Sequence, residues 1–231
     1  MQKVFGMKNL LRPLLLTLFA ICLSSLSAAD KPQPPAGMKL VYSHDFEDNS
    51  LTRYLPTDQT AWKLLEQNGN HVAALVKRNS DFKPQFRSPF NRTLIRDLRP
   101  GSFVMDIRLQ STIPDYGHRD LCLFFGCQDD DHLYYVHFGK KTDDHANQIF
   151  IVNNEPRKKI STRTTDGTPW TDGWHQARIE RNAETGEIKV YFDDLNTPVM
   201  TAVDKTFGTG QLGFGSFDDI GNFDDIRIYA P

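Results

Sequence analysis

The sequence predicts an all-β fold, two antiparallel sheets packed face to face in one domain. Three observations point there. Short segments of alternating or aromatic-rich character recur at spacings of about 8 to 15 residues, separated by turn-forming clusters. After residue 37 the chain has no sustained helical periodicity, so no crossover helices are expected between strands. The chain also opens on a targeting segment, which places the folded part outside the cytoplasm.

Residues 1–29 read as that signal peptide. Lys3, Lys8 and Arg12 form a basic region without acidic residues, and an apolar run over 14–26 follows it. The run is too short to span a bilayer, which takes about 20 apolar residues. Ser27-Ala28-Ala29 supplies the small residues of a cleavage site, so the mature chain begins near Asp30. Residues 30–37, DKPQPPAG, read as a Pro-rich leader, and 38–231 as the β-domain. The expected compartment is extracellular or periplasmic, with no transmembrane segment after cleavage and a monomeric chain.

The strands are expected in this order. Residues 39–46 run into the turn cluster Glu47-Asp48-Asn49-Ser50. Segments 61–66 and 71–78 flank Asn68-Gly69, a strong hairpin signal. In 102–109, Phe103, Met105, Ile107 and Leu109 share one face, and Ser102, Val104, Asp106 and Arg108 the other. Residues 120–127 are apolar on both faces, as a central strand is. Segments 133–139, 148–153, 174–181, 187–193, 211–216 and 224–229 complete about eleven strands, a number in keeping with a sandwich or barrel.

Charge and cysteine content narrow the function. The chain holds 27 basic and 29 acidic residues; without Lys3, Lys8 and Arg12 the mature net charge is −5. That excludes a general nucleic-acid binder, which needs a basic stripe. Cys22 leaves with the signal. Cys122 and Cys127 stand five apart on one expected strand, a span of roughly 16 Å with opposite facing. A disulfide needs Cα atoms within about 7 Å, so both are expected as buried free thiols, neither a bridge nor a metal pair.

The run Gly173-Trp174-His175-Gln176-Ala177-Arg178-Ile179-Glu180-Arg181, continued by Gly186-Glu187-Ile188-Lys189-Val190-Tyr191-Phe192-Asp193-Asp194, resembles the late hairpin of the concanavalin-A-like lectin/glucanase superfamily. So do the close, Gly210-Gln211-Leu212-Gly213-Phe214-Gly215-Ser216-Phe217-Asp218-Asp219 with Phe223-Asp224-Asp225-Ile226-Arg227-Ile228, and the opening Asp45-Phe46-Glu47-Asp48. Laminin-G-type and 3-keto-disaccharide hydrolase domains of secreted bacterial proteins share the pattern. The resemblance implies a jelly-roll sandwich with a concave sheet on which sugars sit. The Glu-x-Asp-x-x-Glu signature of family-sixteen glucanases is absent, as is the Asn-Ser-Gly motif of the 3-keto-disaccharide hydrolases. Gln148-Ile149-Phe150 keeps two letters of the Gln-Ile-His motif of alginate lyases of this fold. No catalytic apparatus carries over.

Candidate site residues come from strand alternation. Tyr134, Val136 and Phe138 suit the core, which leaves Leu133, Tyr135 and His137 on an open face. Arg119, Gln148, Asn153 and Arg157 converge on it if neighbouring strands follow in order. Aromatic faces stack on sugars, and planar Arg, Asn and Gln groups satisfy hydroxyls or carboxylates. Tyr135 and His137 are also the candidate catalytic residues, for proton transfer in uronate elimination with Arg119 or Arg157 on the carboxylate. Asp106 and Asp120 are further carboxylates to consider for glycosidase chemistry. His175 reads as a satisfied core-edge histidine. Asp45, Glu47 and Asp224 could hold a structural Ca²⁺ where the first and last strands meet. Three functions stay open: a glycan-recognition domain with a polysaccharide or oligosaccharide partner, a lyase or hydrolase on the same fold, and a laminin-G-like adhesion domain.

Overall fold

Alternation and turn chemistry resolve into sixteen strands among the described residues, numbered here in chain order. They are β1 Lys39–His44, β2 Tyr54–Pro56, β3 Trp62–Gln67, β4 Asn70–Leu75, β5 Asn91–Ile95, β6 Phe103–Ser111, β7 Cys122–Cys127 and β8 His132–His137. Then follow β9 Gln148–Asn153, β10 Lys158–Lys159, β11 Ser161–Thr164, β12 His175–Arg181, β13 Glu187–Phe192, β14 Met200–Val203, β15 Gln211–Ser216 and β16 Gly221–Ala230. The computed structural model describes residue 1 and residues 34–231. The signal-peptide reading and the first half of the leader fall outside the described residues.

The strands form two antiparallel sheets. One has nine strands, ordered β11-β14-β13-β12-β6-β16-β4-β3, with β1 also paired to β16; the other has seven, ordered β10-β9-β8-β7-β15-β5-β2. All eleven expected strands are present. The five additional ones, β2, β5, β10, β11 and β14, are short or polar. β2, β10 and β11 are edge strands, where such sequences protect against unwanted pairing. The β3–β4 hairpin closes through Asn68 and Gly69, both at positive φ (54° and 80°), as a type I′ turn requires. Residues 59–61 form a 3-10 turn capped by Asp58, whose carboxylate accepts from the Thr60 backbone N–H at 2.9 Å.

The main core lies between the sheets. Phe103, Met105, Ile107 and Leu109 of β6 meet Leu123 and Phe125 of β7 and Tyr134 and Val136 of β8, as alternation predicts. Each such side chain contributes about 1.5–3 kcal/mol of transfer free energy. A second, smaller core covers the opposite face of the seven-stranded sheet. It holds Cys122, Phe124, Cys127, Leu133, Tyr135, Phe150, Val152 and Phe217, with Phe86, Phe90 and Leu94 packed against it.

That second core corrects two expectations. The face carrying Tyr135 and His137 is not open: the two residues are 0% and 4% exposed. The β4–β5 connection folds over it, held where the Arg157 N–H donates to the Arg87 carbonyl (3.0 Å) and the Phe90 N–H to the Phe217 carbonyl (3.1 Å). Cys122 and Cys127 also lie on the same face, not on opposite faces. The β7–β15 register slips between Gln211↔Cys127 and Gly213↔Phe124, and Gly126 takes φ 59° there. One extra residue in a bulge turns the following side chain to the other side of the sheet. Both thiols remain buried and free, as expected.

Candidate functional site

Antiparallel order brings the start of β7, the end of β8 and the start of β9 to one end of the seven-stranded sheet. Cys122 pairs with His137, and His137 with Gln148, in consecutive ladders. A pocket of about 260 Å³ opens at this end, lined by Arg87, His118, Asp120, His137, Asp143, His145, Ala146, Arg157, Phe217 and Asp218. Two arginines, three histidines and three carboxylates thus surround one small space, with Phe217 as its aromatic wall. Its size falls just below the usual range of about 300–1,000 Å³ for ligand pockets, so it suits one ring or one charged end group.

At its base, His137 Nε2 lies 3.1 Å from Asp120 Oδ2. Asp120 is fixed on its other side, where Oδ1 accepts from the Ser216 hydroxyl (2.8 Å) and the Phe217 N–H (3.2 Å). Burial alone would raise the Asp120 pKa, but His137 and these hydrogen bonds outweigh it and hold the carboxyl below its ordinary value. The His137 Nδ1 is buried with no hydrogen-bond partner, an arrangement that costs free energy unless a ligand meets it. Burial, then the nearby Asp120 charge, raises the pKa of Asp218. The same two causes push Asp219, behind the pocket, up to about 6. The site therefore holds one carboxyl group shifted down beside one shifted up, the condition under which one serves as base and another as acid.

Arg157 forms the side wall. Its guanidinium lies 4.3 Å from the Phe217 ring centroid and 4.9 Å from that of Phe150, and Nη1 donates to the Tyr135 hydroxyl at 2.9 Å. Burial raises the Tyr135 pKa, so this phenol stays protonated. The Arg87 guanidinium also lies over Phe217, 5.8 Å from the centroid.

The structure sorts the residues that alternation selected. Tyr135, His137, Gln148 and Arg157 come together at this end of the sheet. Gln148 is buried, its amide donating to the Asp143 carbonyl at 3.0 Å. Asn153 is exposed at the far end of β9, opposite His132. Arg119 is 2% exposed and points away from the face. Its Nε donates to the Ser111 hydroxyl (3.0 Å), and Nη2 to the Ser111 and Thr171 carbonyls (2.8 Å each) and Asp172 (3.1 Å). It ties the end of β6 to the segment before β12, while Nη1 faces Asp115 at 3.6 Å. Asp106 belongs to the other sheet, in a bidentate pair with Arg178, so it is no partner for Asp120. His175 is satisfied, as expected: Nδ1 faces Asp193 at 2.8 Å and Nε2 accepts from the Thr171 N–H at 3.0 Å.

The calcium trio does not assemble in the same way. β1 and β16 do pair, yet the carboxylates have separate partners. Glu47 accepts from the His71 N–H (2.7 Å), Asp224 from the Asn70 amide (2.9 Å), and Asp45 from the Glu47 N–H (3.4 Å). Among the described residues, the set whose metal-ligating atoms lie within 4.8 Å of one another is Asp120, Cys122 and His137.

Arg87, His118, Asp143, His145, Phe217 and Asp218 were not among the site residues that alternation selected. His118 and His145 stand just outside β7 and β9, at the end where β8 delivers His137, so antiparallel order points to them. Arg87 carries no such signal, because the covering loop that brings it has no period, and Phe217 lies just past the end of β15.

No protein-family profile matches the chain, and no curated protein matches it in sequence. Solved structures do. A carbohydrate-binding module from Bacillus subtilis is similar at TM-score 0.53 and 14% identity, over 76% of this chain and 94% of that one. Domain 4 of an extracellular arabinanase from Geobacillus stearothermophilus, solved with arabinotriose, gives 0.55 and 13%, over 84% and 93%. Lectin I-B4 from Griffonia simplicifolia, in a metal-free form, gives 0.54 and 15%, over 81% and 98%. With two packed antiparallel sheets of nine and seven strands, the chain has the lectin-like β-sandwich fold of these structures.

Proposed function

We propose that this chain is a secreted carbohydrate-recognition domain whose site is the polar pocket at the end of the seven-stranded sheet. The observation that carries this reading is the convergence of Arg87, Arg157, His118, His137 and His145 with Asp143 and Asp218 around one space walled by Phe217. Planar donors and carboxylates match ring hydroxyls, and an aromatic edge packs against a sugar face. The similar solved structures include a carbohydrate-binding module, an arabinanase domain holding arabinotriose and a lectin, which supports a glycan partner. An adhesion surface would need a broad apolar patch. The exposed large apolar side chains, Leu40, Val41, Leu55, Leu65, Val76 and Val203, are scattered over separate segments instead.

The test is retention of the full chain on a polysaccharide and oligosaccharide array. Arg87 and His145 are exposed and line the pocket, so Arg87→Ala with His145→Ala abolishes retention and leaves the melting temperature unchanged. Wild type retained nowhere sinks the proposal, as does an unaffected double variant.

One observation favours a second, enzymatic reading. The raised Asp218 and lowered Asp120 flank His137, whose Nδ1 has no protein partner. That set can give and take a proton at a glycosidic or uronate centre. Cleavage of a retained glycan, lost in Asp218→Asn while binding persists, identifies the domain as a lyase or hydrolase. Intact glycan after prolonged incubation leaves it a binding module.

A further inference from the structure

The geometry points to a zinc-class metal site built from Asp120, Cys122 and His137, at the base of the pocket. Asp120 and Cys122 are two residues apart on one face of the same chain segment, and His137 stands directly across the ladder from Cys122. All three are buried, at 1%, 0% and 4% exposure. One carboxylate oxygen, one sulfur and one ring nitrogen lie within 4.8 Å of one another.

The spacings fit a tetrahedral ion. Bonds of about 2.0–2.1 Å to nitrogen and oxygen, and about 2.3 Å to sulfur, give ligand–ligand edges of about 3.3 Å for N to O and about 3.6 Å for S to O. The observed separations are 3.1 Å from His137 Nε2 to Asp120 Oδ2 and 3.9 Å from Cys122 Sγ to the other oxygen, Oδ1. Oδ1 is held by Ser216 and the Phe217 N–H, so Oδ2 is the oxygen left to ligate, and Cys122 Sγ and His137 close in on it from within 4.8 Å as the ion enters.

The surroundings supply the rest of a metal site. Ser216 and the Phe217 N–H anchor Asp120 from behind, as outer partners orient ligating carboxylates. His118, His145, Asp143 and Asp218 line the adjoining pocket and offer a route in and further ligands beside an open position. Thiolate, imidazole and carboxylate together select zinc over magnesium or calcium, which take oxygen ligands.

Binding is balanced by one proton. The Cys122 thiol loses its proton to solvent, and sulfur donates its lone pair to the ion. The neutral His137 ring binds through Nε2 and carries its proton on Nδ1. That nitrogen, which has no partner in the protein, then donates to whatever occupies the pocket. Asp120 and the Cys122 thiolate together neutralise a divalent charge, which offsets the burial that otherwise keeps the thiol protonated.

Cobalt(II) and zinc(II) are the probes, added to the metal-stripped full chain. Cobalt gives one ion per chain, a thiolate-to-cobalt charge-transfer band and the visible bands of tetrahedral geometry. Zinc displaces it, and X-ray absorption of the zinc form shows one sulfur at about 2.3 Å with nitrogen and oxygen neighbours at about 2.0–2.1 Å. The other buried thiol is the internal control: Cys127→Ser keeps the band, Cys122→Ser abolishes it, and His137→Ala weakens binding at least tenfold. A wild type without the charge-transfer band, a zinc shell without sulfur, or a band that follows Cys127 overturns the proposal. Because the wild-type spectrum and the absorption shell decide it alone, a Cys122 variant that fails to fold leaves the test intact. No glycan is involved, so this inference and the glycan reading fail separately.

Discussion

Each sheet buries an aspartate on its outer side, and the two have been completed differently. Asp106 in the nine-stranded sheet faces Arg178 across the β6–β12 ladder. Nε and Nη2 of the guanidinium meet both carboxylate oxygens, at 2.7 and 2.9 Å. Donor fork and acceptor fork use each other up. Asp120, just before β7 of the seven-stranded sheet, meets an imidazole through one oxygen, and the ring keeps a second nitrogen without a partner. A thiol stands beside that pair and a pocket opens over it. A closed pair is architecture. A pair with coordination left over is where chemistry or binding can be added, at some cost in stability.

The largest effect should come from opening the closed pair. Asp106→Ala leaves the Arg178 guanidinium, whose side chain is 12% exposed, with only the longer 3.9 Å contact to Glu180. Breaking a buried pair from one side costs about 3–5 kcal/mol. Denaturant unfolding at neutral pH measures it, and a loss below about 1 kcal/mol would contradict the assignment of Asp106 to the scaffold.

Asp58 gives an intermediate case at the edge of the covering loop. Its carboxylate accepts from Lys77 Nζ (2.9 Å), the Asp81 N–H (2.8 Å) and the Thr60 N–H (2.9 Å) and hydroxyl (2.7 Å). The Lys77 hydrogen bond is the largest cause of a pKa well below the model-peptide value of 3.8. A depressed folded-state pKa contributes stability that is present above the unfolded value and lost as pH falls towards the folded one. Asp58→Asn therefore costs about 1.5–3 kcal/mol at pH 7, the range for a hydrogen bond to a charged group. The gap between wild type and variant narrows as pH falls below about 4. Unfolding curves at both pH values check it, and a pH-independent gap would show that the charge is not what Asp58 contributes.

The contrast between the two aspartates was only half legible in the sequence. Period-two alternation in β6 placed Met105 and Ile107 inward and Asp106 outward, and that held. The same rule placed His137 and Tyr135 on the outer face of β8, also correctly. What alternation cannot carry is whether an outer face meets water. The covering loop, with Phe86 and Phe90, is held against Phe217 and Arg157 by backbone bonds and a ring contact between segments far apart in sequence. The Gly126 bulge is equally invisible to a strict period, and it moved Cys127 to the side of Cys122. Arg119 departs from alternation for a related reason. A long side chain at the start of a strand can turn to the rim, and here the carbonyls of Ser111 and Thr171 drew it there.

The smallest predicted change is the most discriminating. If the Asp120–His137 pair is kept for a ligand, then replacing both members should cost the scaffold little. In Asp120→Asn with His137→Gln, the side-chain amide oxygen still accepts from Ser216 and the Phe217 N–H, the amide nitrogen donates to the glutamine carbonyl where Oδ2 met the ring, and the unpartnered ring nitrogen is gone. Replacing a buried ionic pair by packed neutral groups is often neutral or stabilising. Stability should shift by less than about 1 kcal/mol in either direction. A loss above about 3 kcal/mol would put this pair in the same class as Asp106–Arg178. Its unpartnered nitrogen would then be a packing compromise, and the pocket above it a feature of the surface with no ligand to explain.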